Sequence, residues 1–293
     1  MSVRDMQALR DTRAHNPAAI AAALQARNKR DLLGADGKLM IVAADHPARA
    51  ALGIGDEAMA MANREDLLHR LATALENPGV DGVLATPDII DDLALMGVLD
   101  RKIVVGSMNR GGLRGASFEM DDRFGAYSIE SLVAAGLDFA KTLTRINFSD
   151  PGTADTLIAT AEAVNDAVEA GVPIMIEPFI SEWKDGSISN VLTPEAVIQS
   201  IAIVSALGGS SAYTWLKIPY VEDMDRVMES TTLPTLILGG DRLGDAEGLY
   251  DQWAHALTLP GVRGLVVGRS LLYPAEGTTK DAIHRAVEIV HGP

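Results

Sequence analysis

Two ionisable side chains stand at the ends of short apolar segments of the chain. Lys217 lies near the end of residues 214–220, and Glu177 directly follows the apolar residues 174–176. Apolar neighbours disfavour the ammonium form of a lysine, and a partly neutral amine can attack a carbonyl group to form a Schiff base. A carboxyl group beside it can shuttle the protons that this reaction requires. The pair therefore predicts covalent catalysis by Lys217 with proton transfer by Glu177.

Each of these residues also has a structural interpretation. A lysine at the edge of a strand can pack its stem on apolar groups while its amine reaches water, and buried reactive lysines are exceptional. Glu177 can equally be the partner of a neighbouring cation. Taken alone, the lysine segment favours the structural interpretation, and the rest of the chain has to decide.

Four more polar residues follow apolar segments in the same way: Asp45, Ser107, Lys141 and Arg145. Asp45 can hold an amine or a substrate hydroxyl, or it can cap the first loop. Lys141 lies among apolar residues, where a single lysine is usually half of an ion pair. Ser107 and Arg145 are candidates for binding substrate, because they would face the same end of a parallel sheet.

Two glycine turns near the end of the chain suggest a site for an anion. One consists of Gly239 and Gly240, and the other of Gly268 followed by Arg269. Glycine lets the backbone approach a ligand closely, and the last two turns of an α/β barrel often bind phosphate. Arg269 would add a bidentate contact. The two turns predict a phosphate site.

The elements that would position these residues are eight short apolar strands alternating with helices. The strands are predicted near residues 38–46, 82–85, 103–107, 139–143, 173–178, 214–220, 236–240 and 264–269. This pattern predicts a (β/α)8 TIM barrel of the α/β class over residues 38–293, preceded by a helical extension over residues 1–37. The alternative, a doubly wound open sheet, lacks the glycine fingerprint expected after its first strand.

Composition narrows the functional classes. The net charge of −15 argues against nucleic acid or an anionic membrane as a partner. The chain has no cysteine, no long apolar run and no signal-peptide pattern at its start, so we expect a cytoplasmic protein without disulfides. Among six histidines only His46 falls at a predicted strand end, so no metal site is expected.

On these residues the chain resembles class I, Schiff-base-forming aldolases. The resemblance covers about residues 38–291 and is greatest to the branch of tagatose-1,6-bisphosphate aldolase and sulfosugar aldolases, which is related to deoxyribose-phosphate aldolase. It rests on Asp45 after the first strand and on four short motifs: Ala140-Lys141-Thr142-Leu143, Ile176-Glu177-Pro178, Leu216-Lys217-Ile218-Pro219 and Gly268-Arg269.

The resemblance implies a role for each candidate. Lys217 would form the Schiff base, Glu177 would shuttle protons, and Lys141 with Asp45 would act on substrate hydroxyls. The phosphate would be held by Gly239, Gly240, Gly268 and Arg269. No cofactor is expected, and the partners would be a phosphorylated sugar and further copies of this chain in a homo-oligomer.

Two departures from the related families bear on the substrate. The seventh strand, residues 236–238, lacks the second lysine of deoxyribose-phosphate aldolases, which argues against deoxyribose phosphate. The fourth strand continues as Thr144-Arg145-Ile146, where the tagatose branch has two tyrosines, and this leaves the sugar open. Residues 45–49 also resemble bacterial barrel proteins associated with inositol breakdown, which adds a deoxy-keto-gluconate phosphate to the candidate substrates.

The leading functional hypothesis is an aldolase that reversibly cleaves a phosphorylated ketose or keto acid, releasing dihydroxyacetone phosphate and an aldehyde. One alternative is a transaldolase or an acyl-transferring enzyme that uses the same Schiff base. Another is a barrel that binds a sugar phosphate without catalysis, and the presence of both Lys217 and Glu177 argues against it.

Overall fold

A computed structural model describes residues 6–109, 112–239 and 246–292. Within them the helices are α1 (Met6–His15), α2 (Ala18–Gln25), α3 (Arg64–Glu76), α4 (Pro87–Leu95), α5 (Ile129–Ala134), α6 (Gly152–Ala170), α7 (Pro194–Ser205), α8 (Met224–Glu229), α9 (Ala246–Ala256), α10 (Arg269–Leu272) and α11 (Thr279–His291). The strands are β1 (Leu39–Ala43), β2 (Gly82–Ala85), β3 (Ile103–Ser107), β4 (Phe139–Ile146), β5 (Ile174–Lys184), β6 (Ser187–Asn190), β7 (Thr214–Ile218), β8 (Thr235–Leu238) and β9 (Val262–Val267).

Eight of these strands form a closed parallel barrel. They are paired in the order β1-β2-β3-β4-β5-β7-β8-β9, and β9 pairs back onto β1 with Leu39 opposite Gly264. A β-carbon at position 264 would lie 1.9 Å from the carbonyl oxygen of Leu39, so this seam needs glycine. Helices connect the strands, and the predicted (β/α)8 barrel is confirmed.

Side chains alternate between two apolar compartments along each strand. Leu39 and Ile41 point into the barrel, whereas Met40 and Val42 pack against the surrounding helices. Inside the barrel the rings of Phe139 and Trp215 meet edge to face at 5.4 Å. Parallel strands covered on both faces need apolar residues at nearly every position, and this explains why they appear in the sequence as continuous apolar runs.

The two helices before β1 pack on the outside of the barrel. Arg13 of α1 donates from Nε to Asp92 Oδ1 of α4 at 2.7 Å, and Arg27, just beyond α2, donates to Asp138 Oδ2 at 2.9 Å. None of the helices in the described part of the chain is both long and apolar enough to cross a membrane.

The strand predicted to end at Pro178 continues further than expected. β5 runs to Lys184 because its last residues pair with β6 in an antiparallel hairpin, with Trp183 opposite Ile188. This hairpin projects beyond the barrel wall, and Trp183 remains partly exposed. The following helix α7 begins with Thr193 accepting a hydrogen bond from the backbone N–H of Ala196 and with Pro194 at the first helical position.

A histidine near the end of the chain joins the last helix to the start of the barrel. His291 Nδ1 contacts Asp36, and its Nε2 lies 3.1 Å from Asp81 Oδ2. Asp81 also accepts from the backbone N–H of Met40 and pairs with Arg30. The contact with Asp81, aided by Asp36, raises the pKa of His291 to about 9 although burial opposes the rise.

We expect this contact to make stability depend on alkaline pH. A histidine with a raised folded-state pKa stabilises the protein fully below about pH 6.5, its unfolded value, and the contribution is lost as the pH rises through about 9. The free energy of unfolding should fall by roughly 1–2 kcal/mol between these values, because partial solvation reduces the full effect. Denaturant unfolding of the wild type and of His291→Gln should differ at pH 6 and converge near pH 10. A constant difference at both pH values would contradict the assignment.

Candidate active site

The strand alternation aims three ionisable side chains at the mouth of the barrel. Lys141, Glu177 and Lys217 each lie two positions beyond an apolar residue that fills the barrel interior. Those interior residues are Phe139, Met175 and Trp215. Because side chains two apart on a strand share a face, the three polar groups must point inward above this apolar layer. Ser107 follows Val105 in the same way on β3.

These residues form one continuous cluster. Glu177 bridges both lysines, with Oε1 2.6 Å from Lys217 Nζ and Oε2 2.6 Å from Lys141 Nζ. Lys141 Nζ also lies 2.9 Å from Asp45 Oδ2, and Ser107 Oγ lies 3.4 Å from the same oxygen. All five side chains are buried. The structure thus brings together five predicted site residues from β3, β4, β5, β7 and the end of β1.

The two lysines differ in their electrostatic environment. Burial lowers the pKa of Lys217, and the positive charge of Lys141 lowers it further, although Glu177 opposes both effects. Burial also acts on Lys141, but its two carboxylate partners, Asp45 and Glu177, outweigh it and raise the pKa of Lys141. Lys141 therefore stays an ammonium group, whereas Lys217 is the amine that loses its proton more readily.

The carboxyl groups of the cluster are held in the charged form. Burial favours the neutral acid, but Lys141 and Lys217 outweigh it and lower the pKa of Glu177 to about 2. The pKa of Asp45 lies well below its usual value because Lys141, His46 and Lys217 together outweigh burial. Glu177 is therefore a carboxylate when it contacts the two lysines.

His46 is a neighbour of the cluster to which the sequence assigned no role. Its Nδ1 is buried and lies 3.7 Å from Asp45 Oδ1. Burial lowers the pKa of His46 to about 4, with Arg269 and Lys217 adding to the effect and Asp45 opposing it. The imidazole is thus neutral at physiological pH. Its position directly after Asp45 was the one signal in the sequence that could have identified it.

Arg145 does not join this cluster. Its guanidinium is buried and pairs with Asp122, with Nε 2.8 Å from Oδ2 and Nη2 2.9 Å from Oδ1. Nη1 lies 3.2 Å from Glu119 Oε1. Asp122 and Glu119 belong to the loop between β3 and α5, so these ion pairs of Arg145 connect that loop to β4. Its predicted contact with substrate stays a prediction that these hydrogen bonds do not support.

The predicted phosphate-binding turns lie side by side at the ends of β8 and β9. A β-carbon at Gly239 would lie 2.5 Å from Val267 and 3.2 Å from Ser270 Oγ, and one at Gly268 would lie 2.4 Å from the carbonyl oxygen of Ala43. Ser270 Oγ is buried and hydrogen-bonds to none of the described residues. The close packing explains why glycine stands at positions 239 and 268. The Ser270 hydroxyl is available to a ligand. Gly240 lies outside the described residues.

Metal-binding side chains are not gathered in the part of the chain that the structure describes. No group of three or more histidine, aspartate or glutamate residues there is arranged to hold an ion. Independence from metal stays a prediction, which a measurement of activity after prolonged EDTA treatment tests.

Together, the closed barrel and its site define a (β/α)8 protein with a buried cluster of two lysines and two carboxylates at the carboxyl ends of its strands. The family described as Cgl0159-like matches residues 37–287, and the chain belongs to that family. The crystal structure of Cgl0159 from Corynebacterium glutamicum is 62% identical, covers 97% of this chain and 96% of its own, and superposes with a TM-score of 0.95.

More distant structures share the fold. An archaeal fructose 1,6-bisphosphate aldolase is 19% identical with a TM-score of 0.63 and covers 94% of this chain and 100% of its own. Another archaeal fructose-1,6-bisphosphate aldolase, whose catalytic lysine is covalently bound to the carbinolamine intermediate of its substrate, is 20% identical with a TM-score of 0.64 and covers 93% of this chain and 100% of its own. At these identities the likeness concerns the barrel.

One curated relative matches part of the chain. The 2-amino-3,7-dideoxy-D-threo-hept-6-ulosonate synthase of Halobacterium salinarum is 26% identical over 168 residues, which are 56% of this chain and 57% of the relative. The chain therefore spans little more than half the length of that protein.

Proposed function

We propose that this chain is a class I aldolase, a lyase that needs no metal ion and cleaves a phosphorylated ketose or keto acid through a Schiff base on Lys217. One observation carries the proposal: Lys217 is buried at the barrel mouth, its pKa is lowered by burial, and its amine lies 2.6 Å from Glu177. A desolvated amine hydrogen-bonded to a carboxylate has both the nucleophile and the proton acceptor that carbonyl attack requires.

The proposed reaction begins when the Lys217 amine attacks the substrate ketone and forms a carbinolamine. Glu177 accepts the proton that Lys217 loses before the attack and later a second one from the attacking nitrogen, and it passes both in turn to the carbonyl oxygen, which leaves as water and yields an iminium ion. A proton is then lost from the hydroxyl group two carbons away from the imine carbon. The bond between the carbon that carries this hydroxyl and the carbon next to the imine breaks, an aldehyde departs, and the bonding electrons form an enamine on Lys217. Protonation of that enamine and hydrolysis release the ketone product.

Lys141 and Asp45 would hold the substrate during this sequence. Lys141 remains charged beside Asp45 and Glu177, so its ammonium can donate to a substrate hydroxyl and keep Lys217 from protonation by repulsion. Asp45 would accept a hydrogen bond from a substrate hydroxyl. These roles follow the implied pattern of class I aldolases, including the tagatose-bisphosphate and sulfosugar branch.

The proposed substrate carries a phosphate at the turns after β8 and β9. The packed glycines at 239 and 268 and the buried hydroxyl of Ser270 support this placement. The archaeal relatives named as fructose-1,6-bisphosphate aldolases support a ketohexose bisphosphate, and a deoxy-keto-gluconate phosphate is the other candidate. Dihydroxyacetone phosphate is the product we expect from either.

Arg269 should contribute to binding and little to chemistry. Arg269→Ala should raise KM for a phosphorylated substrate by ~10–100-fold, the value of one or two charge-assisted hydrogen bonds, with kcat nearly unchanged. A non-phosphorylated analogue should be affected little. Steady-state kinetics with both substrates measure this, and Arg263→Ala, an exposed arginine at the start of β9, is the matched control. An equal loss of kcat on both substrates would place Arg269 in the chemistry instead.

Borohydride trapping tests the proposed function. The protein would be incubated with dihydroxyacetone phosphate and with each candidate sugar phosphate, reduced, digested and analysed by mass spectrometry. We expect the reduced adduct on Lys217, with the same yield and turnover after prolonged EDTA treatment. Adduct on Lys141, or activity lost with EDTA and restored by zinc or magnesium, would refute the proposed mechanism.

A transfer reaction is the second candidate function. The partial match to a hept-6-ulosonate synthase supports it, because the same enamine can be passed to an acceptor aldehyde instead of a proton. Product analysis with and without an added acceptor distinguishes cleavage from transfer. A protein that binds sugar phosphate without any trapped adduct would fit the non-catalytic alternative.

A further inference from the structure

Arg49 is a cation at the barrel mouth that the proposed mechanism does not use. It ends the short 3-10 helix His46–Arg49 that follows β1. Its Nε donates to the carbonyl oxygen of Gly112 at 3.3 Å, and its own carbonyl oxygen accepts from Arg114 N at 2.9 Å. Its two terminal nitrogens hydrogen-bond to none of the described residues, although the side chain is half-buried.

The carboxylates nearest to Arg49 are already paired with other cations. Both oxygens of Asp122 bind Arg145, and Glu119 is shared between Arg145 and the N–H of Gly115. In the catalytic cluster both oxygens of Glu177 bind lysines, and Asp45 binds Lys141. Arg49 is thus a surplus positive charge in this group of ion pairs.

The environment of Arg49 makes this surplus costly. Burial lowers the pKa of Arg49, and the charge of Arg145 lowers it further, while Asp122, Glu177 and Asp45 oppose the change only in part. Partial burial costs the guanidinium part of its hydration, and among the described residues only the Gly112 contact of Nε replaces the lost hydrogen bonds. An anion that enters the mouth would supply them, and a fork of N–H donors suits an oxyanion.

Arg49 and Arg269 reach the barrel mouth from opposite sides of β1. Arg269 begins α10 directly after β9, and β9 is the neighbour of β1 on one side. Arg49 leans from the end of β1 toward Gly112, in the loop after β3, on the other side. The charge of Arg269 lowers the pKa of His46, whereas Arg49 interacts electrostatically with Glu177 and Asp45, which oppose the lowering of its own pKa. A substrate attached to Lys217 would therefore extend between two arginines.

We propose that Arg49 binds a second anionic group of the substrate, at the end opposite the phosphate held beside Gly239, Gly268 and Arg269. The substrate is then doubly anionic, with a phosphate at one end and a phosphate or a carboxylate at the other. This inference rests on the proposed function for the place of the first phosphate and of the bond that is cleaved.

The test uses three probes without a carbonyl group, so that no Schiff base can form: hexyl phosphate, hexane-1,6-diol bisphosphate and 6-phosphooxyhexanoate. Calorimetric titration of the wild type should give at least about tenfold tighter binding of one doubly anionic probe than of hexyl phosphate. The tighter of the two identifies the second group as phosphate or carboxylate. Arg49→Gln should remove this preference and leave hexyl phosphate binding unchanged.

Two further variants keep the test decisive. Arg114→Gln removes an exposed arginine from the loop that contacts Arg49 and should bind all three probes like the wild type. Arg49→Lys retains the charge without the fork of donors and should keep part of the preference for the doubly anionic probe. If Arg49→Gln fails to fold, Arg49→Lys takes its place in the test. Absence of the preference in the wild type, or an equal loss for all three probes in the Arg49 variants, would overturn the inference.

Borohydride trapping separates this inference from the proposed function. If the preference depends on Arg49 but no adduct forms on Lys217, the second anion site stands and the aldolase proposal fails. If the adduct forms on Lys217 but the probes bind alike, the aldolase proposal stands and the role of Arg49 is refuted.

Discussion

Replacing Lys217 with methionine is expected to remove nearly all turnover while the barrel remains folded. Loss of a covalent nucleophile costs on the order of 10⁴-fold or more in kcat, since no other group in the cluster has both a lowered pKa and a place beside Glu177. Methionine fits the same apolar surroundings, and Glu177 keeps Lys141 as its partner. The measurement is kcat for the substrate that gives the borohydride adduct, together with the melting temperature.

Two controls make the result specific to Lys217. Lys184→Met changes an exposed lysine at the end of β5 and should leave turnover unchanged. Lys141→Met should reduce turnover without abolishing the adduct on Lys217. If Lys217→Met retains a tenth of the wild-type rate, the reaction does not pass through this amine.

Replacing Glu177 with glutamine is expected to have the second largest effect. Removing a general acid or base typically costs ~10²–10⁴-fold in rate, and the amide cannot carry the proton between the attacking nitrogen and the leaving oxygen. Substrate affinity should change little. The lysines lose a shared negative charge, so Lys217 should become an even weaker base and remain able to attack.

The informative measurement combines kcat with the rate and yield of borohydride trapping. In Glu177→Gln the adduct should still form on Lys217, but slowly. Glu182→Gln, an exposed glutamate on the same strand, should behave like the wild type. A variant with normal kcat and a raised KM would show that Glu177 binds substrate and moves no proton.

The fold could be predicted because each barrel strand is apolar on both faces and is followed by a helix. The same pattern placed Asp45, Lys141, Glu177 and Lys217 at strand ends, where side chains of a closed barrel converge. The lengths of the strands could be predicted less well from the sequence. The continuation of β5 to Lys184 depends on pairing with β6, and such a pairing is not visible in the residues of one strand.

Arg145 and Arg49 show where the sequence was insufficient. Arg145 follows the strand predicted near residues 139–143 and was therefore selected as a candidate, whereas Arg49 lies in the loop after the first strand and the pattern gave it no role. Arg145 is engaged by Asp122 and Glu119, two acids in an irregular loop whose path has no periodicity. Arg49 leans toward the same loop but meets carboxylates that are already occupied. The difference depends on how acids and arginines are distributed in space, and only the three-dimensional structure gives it.

The seam between β1 and β9 has a consequence for how the protein is made. The first barrel strand finds its second neighbour only when the last one has left the ribosome, since Leu39 pairs with Gly264. Until then β1 has an open edge and uncovered apolar faces, a state that favours association with other chains. Pairings between distant parts of a chain also form slowly. A larger residue at position 264 would prolong this interval, so its first effect in the cell would be on the yield of folded protein during synthesis.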